Sequence, residues 1–215
     1  MKAVWFTSDR REGHARAPGA LERLLRAKKW PAGPATAEQI HGCRVAVVSR
    51  RDAGRRFSKA DGLVTREANQ PLAIFTADCL PVFMTAPRAG AIGILHAGWR
   101  GIRAGILESA VRRMQSWGLS AGDIFIWTGP AIGRCCFEVR WDVARHFPGA
   151  RRRMKDRWTV DLRAALRRQA RTLGVKFRSR DAVQECTMHN RRYYSHRRDG
   201  TAERQVSVIM KGAQR

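Results

Sequence analysis

His41, Cys79 and His96 stand in three short stretches of unusual composition: Gln39-Ile40-His41-Gly42, Thr76-Ala77-Asp78-Cys79-Leu80-Pro81 and His96-Ala97-Gly98-Trp99-Arg100-Gly101. Two imidazoles and one thiolate can hold a zinc ion and leave its fourth position open. That is the habit of a catalytic zinc, whereas a structural zinc is closed by four protein ligands. Any one of the three, taken singly, is more often a satisfied core residue. The case for chemistry rests on three such corners in one small chain, and if they converge the chain is an enzyme.

Other residues near these corners have chemical uses. Asp78 precedes the candidate thiolate and can orient a ligating imidazole, or simply form an Asx-type turn. Arg100 follows His96 by four positions and suits bidentate recognition of phosphate or carboxylate, although this chain has many surface arginines. Glu138, in Gly129-Pro130-Ala131-Ile132-Gly133-Arg134-Cys135-Cys136-Phe137-Glu138, is a general base, a ribose-hydroxyl acceptor or a helix-initiating acid. Cys136 and Phe137 are expected to pack inward. His196, in Tyr194-Ser195-His196-Arg197-Arg198-Asp199-Gly200, lies in a compact polar stretch that lines a pocket or is only a loop.

The elements that must position these residues alternate between strand and helix. A helix over about Gly19 to Lys29 ends at Trp30-Pro31. Strands are predicted at Arg44 to Ser49, Gly62 to Thr65, Leu72 to Thr76, Val82 to Thr85 and Ala91 to His96. The last of these is apolar at nearly every position, as expected of a strand covered on both faces. One helix is predicted over Gly101 to Trp117, with Ile102, Ile106, Leu107, Ala110, Val111 and Met114 at helical spacing. A strand at Asp123 to Thr128, helices at Asp142 to Phe147 and Asp161 to Leu173, and strands at Val175 to Arg178 and Val206 to Met210 complete the pattern. It implies an α/β domain of α+β type, with one mixed sheet and helices packed on it. His96 then sits at a strand end opening into a helix, where α/β proteins place ligands.

A chain of 215 residues with 44% hydrophobic composition suits one domain with a sizeable core. The apolar run from Pro71 to Val82 is too short to span a bilayer, and the first residues lack the long apolar segment of a signal peptide. A cytoplasmic protein is expected. Five cysteines, an odd number, argue against a disulfide framework, and no Cys-x-x-Cys pair is present. Forty-two Lys and Arg against 18 Asp and Glu give a formal charge of +24. The cations are spread along the whole chain rather than concentrated, which favours a solvated cationic surface over a dedicated nucleic-acid element. Weak non-specific binding of polyanions follows in either case.

Taken together with Ala60-Asp61-Gly62-Leu63-Val64-Thr65, these stretches closely resemble the YfiH-like family, also called the laccase-domain or multicopper polyphenol oxidase-like family. They come in the family's order from about Gln39 onward. The resemblance implies one YfiH-like domain over 1–215 and a zinc site of His41, Cys79 and His96. It also implies phosphorolysis of adenosine, inosine, guanosine and methylthioadenosine, with purine nucleosides and phosphate as ligands, and adenosine deamination. Some bacterial members are instead described as peptidoglycan editing factors. Residues 1–38 are divergent and shortened: Thr7 to Gly13 is a loose counterpart of the family's Thr-x-Arg-x-Gly-Gly loop, and Arg10 and Arg11 are both candidates for a phosphate-binding arginine there. Glu203 stands where the family often has glycine.

Three chemistries compete for these residues. Deamination would use water acidified by zinc to a pKa of roughly 7 against C6 of adenine, while phosphorolysis would use arginines to hold phosphate against C1′ of the ribose. Asp78 and Glu138 are the candidate proton carriers. Imidazole and thiolate also bind copper, but a full multicopper centre needs more histidines than the six present. A metal-free hydrolase would use Cys79 as nucleophile and His96 as base, and leaves His41 without a role. A monomer is favoured, and no membrane partner is expected.

Overall fold

The apolar run at Ala91–Ala97 forms a strand whose seven residues are all buried, as its lack of polar alternation requires. In the computed structural model, which describes residues 3–212, this strand lies inside the larger of two mixed sheets. In chain order the elements are β1 (Ala3–Thr7), α1 (Ala20–Ala27), β2 (Ala35–Ala37), β3 (Val45–Val47), β4 (Arg56–Phe57), β5 (Gly62–Thr65), β6 (Leu72–Thr76), β7 (Leu80–Ala86) and β8 (Ala91–Ala97). Then come α2 (Trp99–Arg103), α3 (Ile106–Gln115), β9 (Phe125–Thr128), β10 (Glu138–Val139), α4 (Trp141–Ala144), β11 (Arg151–Met154) and β12 (Arg157–Val160). The last are α5 (Leu162–Thr172), β13 (Lys176–Phe177), α6 (His196–Asp199) and β14 (Gln205–Lys211).

The six-stranded sheet runs β13-β9-β7-β8-β5-β3 and the five-stranded sheet β1-β14-β6-β2-β4. The expected single mixed sheet is thus two, with a small antiparallel sheet β10-β12-β11 in addition, and the reason for the division is visible in the side chains. Phe83, Ile92 and Ile94 face away from the helices and need a cover. Leu72, Ile74 and Ile209 of the second sheet supply it, in one apolar cluster. Full burial of such a side chain is worth about 1.5–3 kcal/mol. On the other side Val82, Met84 and Leu95 pack with Ile106, Leu107, Val111 and Met114 of α3 and with α5. Leu21 and Leu25 of α1 cover the outer face of the smaller sheet at Val206 and Val208.

The helix expected over Gly101 to Trp117 is broken in two. Gly105 takes φ +80 and becomes the N-cap of α3, a conformation open to glycine at no steric cost. The arginine-rich hairpin of β11 and β12, paired through Arg151↔Val160 and Met154↔Arg157, has too many exposed charges to announce itself as strand. Among the described residues no helix is long and apolar enough to cross a membrane.

Candidate metal centre and its cavity

Two crossings between the sheets bring the three residues together. The link from β6 to β7 leaves the smaller sheet and enters the larger, and Cys79 ends it, directly before β7. The register Leu80↔Ala97 and Pro81↔His96 sets Cys79 beside the end of β8, where His96 sits. The link from β2 to β3 makes the same crossing and carries His41, whose backbone is left-handed at φ +64. One donor atom from each of His41, Cys79 and His96 lies within 4.8 Å of the others. The two imidazole rings meet edge to face, with centroids 4.8 Å apart.

Asp61 holds this arrangement. Its side chain is fully buried and sits one residue before β5, whose pairing Gly62↔Leu95 brings it to His96. Oδ1 accepts from the His41 N–H at 2.9 Å, and Oδ2 accepts from the N–H groups of Ile40 at 3.1 Å and Gly42 at 2.8 Å. Oδ1 also lies 2.8 Å from His96 Nδ1. An imidazole that donates Nδ1–H to a carboxylate presents Nε2 as its free donor. The sequence pattern offered Asp78 for this part, and Asp78 is engaged elsewhere. It accepts from Thr187 Oγ1 at 2.6 Å and from the Arg197 N–H at 2.7 Å.

Electrostatics favour the charged pair at this point. Burial raises the Cys79 pKa, but the adjoining His96 and His41 outweigh it and bring the thiol down to about 6. Burial lowers the His96 pKa, and the Cys79 thiolate and Asp61 outweigh it, lifting it to about 9. Close approach also needs two glycines. A Cβ on Gly98 would meet Cys79 Sγ at 3.0 Å and His41 Cδ2 at 3.3 Å, and one on Gly101 would meet the Gly42 carbonyl at 2.9 Å.

The three residues open onto a cavity of about 290 Å³. Phe75, Ile132 and Phe137 give it apolar walls, and Arg16, Arg197 and Arg204 a cationic rim. Arg16 lies over the Phe75 ring at 5.1 Å and Arg197 over Phe137 at 5.6 Å. Among the described residues none of these three arginines is paired with a carboxylate. Burial and the charges of Arg204 and Arg56 lower the Arg16 pKa, so an anion would be welcome there. His196 and Asp78 also line the cavity.

Arg100 and Glu138 do not line it. Arg100 is exposed and stacks on Trp99 at 4.4 Å, and the Glu138 carboxylate is bound by Arg157 at 2.6 Å. Arg10 pairs with Asp199 and Arg11 with Asp9, so neither of the two expected candidates reaches the cavity, and Arg16 does. A larger cavity of about 580 Å³, near Arg103, His146 and Arg168, is lined by none of His41, Cys79 and His96.

The family described as multi-copper polyphenol oxidoreductase laccase matches residues 9–212. The chain belongs to it. Among curated relatives, the purine nucleoside phosphorylase SCO2081 of Streptomyces coelicolor is 36% identical over 204 residues, 89% of this chain and 83% of that protein. The purine nucleoside phosphorylase YlmD of Geobacillus stearothermophilus is 35% identical over 80% of this chain and 70% of its own. The crystal structure of YlmD superimposes with a TM-score of 0.84 at 31% identity, covering 90% of this chain and 79% of that one. The Bacillus licheniformis hypothetical protein YfiH gives 0.82 at 27% identity, covering 90% and 80%. Both likenesses agree with the mixed α/β domain seen here.

Proposed function

We propose that this protein is a zinc-dependent purine nucleoside phosphorylase that acts on adenosine, inosine, guanosine and methylthioadenosine and also deaminates adenosine. One observation carries the proposal: a three-donor His-Cys-His set opens onto a cavity with apolar walls and three unpaired arginines. The names of the relatives point the same way.

The donor set fits zinc, since two imidazoles and a thiolate leave one position for a fourth ligand. Asp61 Oδ1 lies 2.8 Å from His96 Nδ1, so a His96 that donates Nδ1–H there gives Nε2 to the metal once its second proton is displaced, and the low Cys79 pKa supplies the thiolate. When bound, zinc supplies Lewis acidity at the cavity floor. Phe75 and Phe137 offer faces to a purine. Arg16, Arg197 and Arg204 hold phosphate, the task the sequence pattern gave to Arg100. In phosphorolysis a phosphate oxygen bonds to C1′ as the C1′–N9 bond breaks, and the purine takes up a proton. In deamination water adds at C6 and ammonia leaves. Asp78, tied to Thr187 and the Arg197 backbone, positions the arginine rim. The protein acts as a cytoplasmic monomer on free nucleosides.

Chromatography of adenosine products from zinc-loaded protein tests the proposal. Adenine and ribose 1-phosphate are expected only with phosphate, and inosine with or without it. Absence of both products overturns it. The close Cys79–His96 pair also favours a second reading, a metal-free cysteine hydrolase. Activity that survives complete removal of metal and dies on alkylation of Cys79 supports that reading instead.

A further inference from the structure

Cys135, Cys136, Cys186 and His189 have no part in the proposed reaction. No Cys-x-x-Cys pair marks them in the sequence, yet the fold assembles them. Cys135 and Cys136 lie in the turn that follows β9, where Cys136 N–H and Phe137 N–H both donate to the Gly133 carbonyl. Cys186 and His189 lie in a second turn, in which His189 N–H and Asn190 N–H donate to the Cys186 carbonyl. The bridge Ala131↔Cys186 joins the two turns. One donor atom from each of the four lies within 4.8 Å of the others. His189 Nε2 is 3.2 Å from Cys136 Sγ, and the Gly133 N–H donates to Cys186 Sγ at 3.1 Å.

We propose that these four residues form a second, closed metal site that takes a thiophilic divalent ion of the zinc type. Three thiolates and one imidazole are a complete structural zinc set, and bond lengths near 2.3 Å to sulfur and 2.0–2.1 Å to nitrogen place such donors roughly 3.5–3.8 Å apart. The observed cluster needs only a small contraction to reach that. None of the three cysteines is tied up in a disulfide, so each sulfur is available as a thiolate ligand. Three thiolates around a divalent ion carry one net negative charge. The buried Arg163 beside them, which donates to the carbonyls of Gly129, Ala131 and Glu185, is placed to balance it.

The ion has a task beyond filling the cluster. Cys136 directly precedes Phe137, a wall of the nucleoside cavity, and Cys186 directly precedes Thr187, which donates to Asp78. Asp78 in turn accepts from the Arg197 backbone. A metal here clamps the aromatic wall and the arginine rim to each other from behind, without touching substrate.

Elemental analysis of protein purified anaerobically tests this, with cobalt(II) as the probe where a spectrum is needed. Wild type is expected to hold two ions per chain, and Cys79→Ala to keep one. Cobalt-loaded Cys79→Ala retains strong sulfur-to-cobalt charge-transfer absorption, and the double variant Cys79→Ala, Cys186→Ser loses both the ion and the band. Cys79→Ala leaves the cluster untouched, so the test does not depend on the double variant folding. The proposal is overturned if Cys79→Ala binds no metal, or if its cobalt spectrum lacks thiolate charge transfer. It is overturned equally if Cys135, Cys136 and Cys186 alkylate as fast in metal-loaded protein as after chelation. Failure of the phosphorylase reading would instead appear as two bound ions without product, so the outcomes are separable.

Discussion

His41, Cys79 and His96 sit at the floor of a cavity and offer three donors, whereas Cys135, Cys136, Cys186 and His189 sit behind its wall and offer four. The first group is anchored by a carboxylate: Asp61 binds three backbone N–H groups and one imidazole at once. The second is anchored by backbone alone, through the Ala131–Cys186 bridge and the Gly133 N–H on sulfur. A site that must exchange ligands needs donors whose geometry survives when the fourth position empties, and a buried carboxylate provides it. A closed site fixes its own geometry through the ion and can be built from two turns.

The sharpest way to break this contrast is Cys79→Ala. Loss of a ligand from the open centre should abolish its metal and lower phosphorolysis by at least about a thousandfold, since a catalytic metal contributes several kcal/mol to the transition state and each 1.36 kcal/mol is tenfold. The closed cluster should keep its ion. Metal content and product formation measured on one preparation decide this, and full turnover in the variant would remove Cys79 from the site.

Asp61→Asn comes next. The new amide would face either Ile40 and Gly42 or His41 and His96, donor against donor. A weakening of metal binding at the open centre of about 10–100-fold is expected, with a loss of ~1–3 kcal/mol in unfolding free energy from buried donors left unsatisfied. Competition with a chromophoric chelator and urea unfolding measure the two. The closed cluster has no such carboxylate, so its affinity should not move.

These two centres were not equally legible in the sequence. His41, Cys79 and His96 each lie in a local motif, and local motifs survive without knowledge of the fold. Asp61 stands in the stretch Ala60–Thr65 with no role legible from sequence, because its contact with His96 depends on the pairing of β5 with β8. Cys135 and Cys136 lie far along the chain from Cys186 and His189 and share no short spacing rule. Arg16 and Arg204 come from opposite ends of the chain and were hidden among 42 Lys and Arg. Strands with apolar runs were placed closely, as at Leu72–Thr76 and Gly62–Thr65. Their division between two sheets was not, because periodicity reports which residues are buried and not what buries them.

Metal-free protein offers a third contrast, in acidity. Cys79 is held down to about 6 by the histidines beside it, against the opposing effect of burial. Cys136 is pushed up to about 12 by burial and by the neighbouring Cys135 and Cys186. The sign is therefore opposite at the two centres. The Cys79 thiolate fraction rises as pH climbs through about 6 and falls away below it, while Cys136 remains a thiol throughout the neutral range. Chelated protein treated with iodoacetamide at pH 7 should be labelled at Cys79 well before Cys136, as peptide mass spectrometry would show. Labelling of Cys79 that began only near pH 9 would mean that the imidazoles do not stabilise the thiolate.

The smallest expected effects come from a matched pair of glycines. Gly98 would place a Cβ 3.0 Å from Cys79 Sγ and 3.3 Å from His41 Cδ2, and Gly133 would place one 3.0 Å from Cys135 Sγ and 3.2 Å from Cys186 Cβ. Neither glycine adopts a left-handed backbone, so alanine meets no conformational barrier and the whole effect is steric. Overpacking costs about 1–3 kcal/mol when neighbours are held rigidly, and less when they yield. Gly98→Ala should thus weaken only the open centre, by a few-fold to about tenfold in metal affinity, with phosphorolysis falling in step. Gly133→Ala should weaken only the closed cluster, with turnover little changed while its ion remains bound. Metal titrations of the two variants side by side measure the coupling between the centres. If each alanine weakened both sites equally, the wall between them would transmit strain, and the clamp and the reaction centre would have to be treated as one unit.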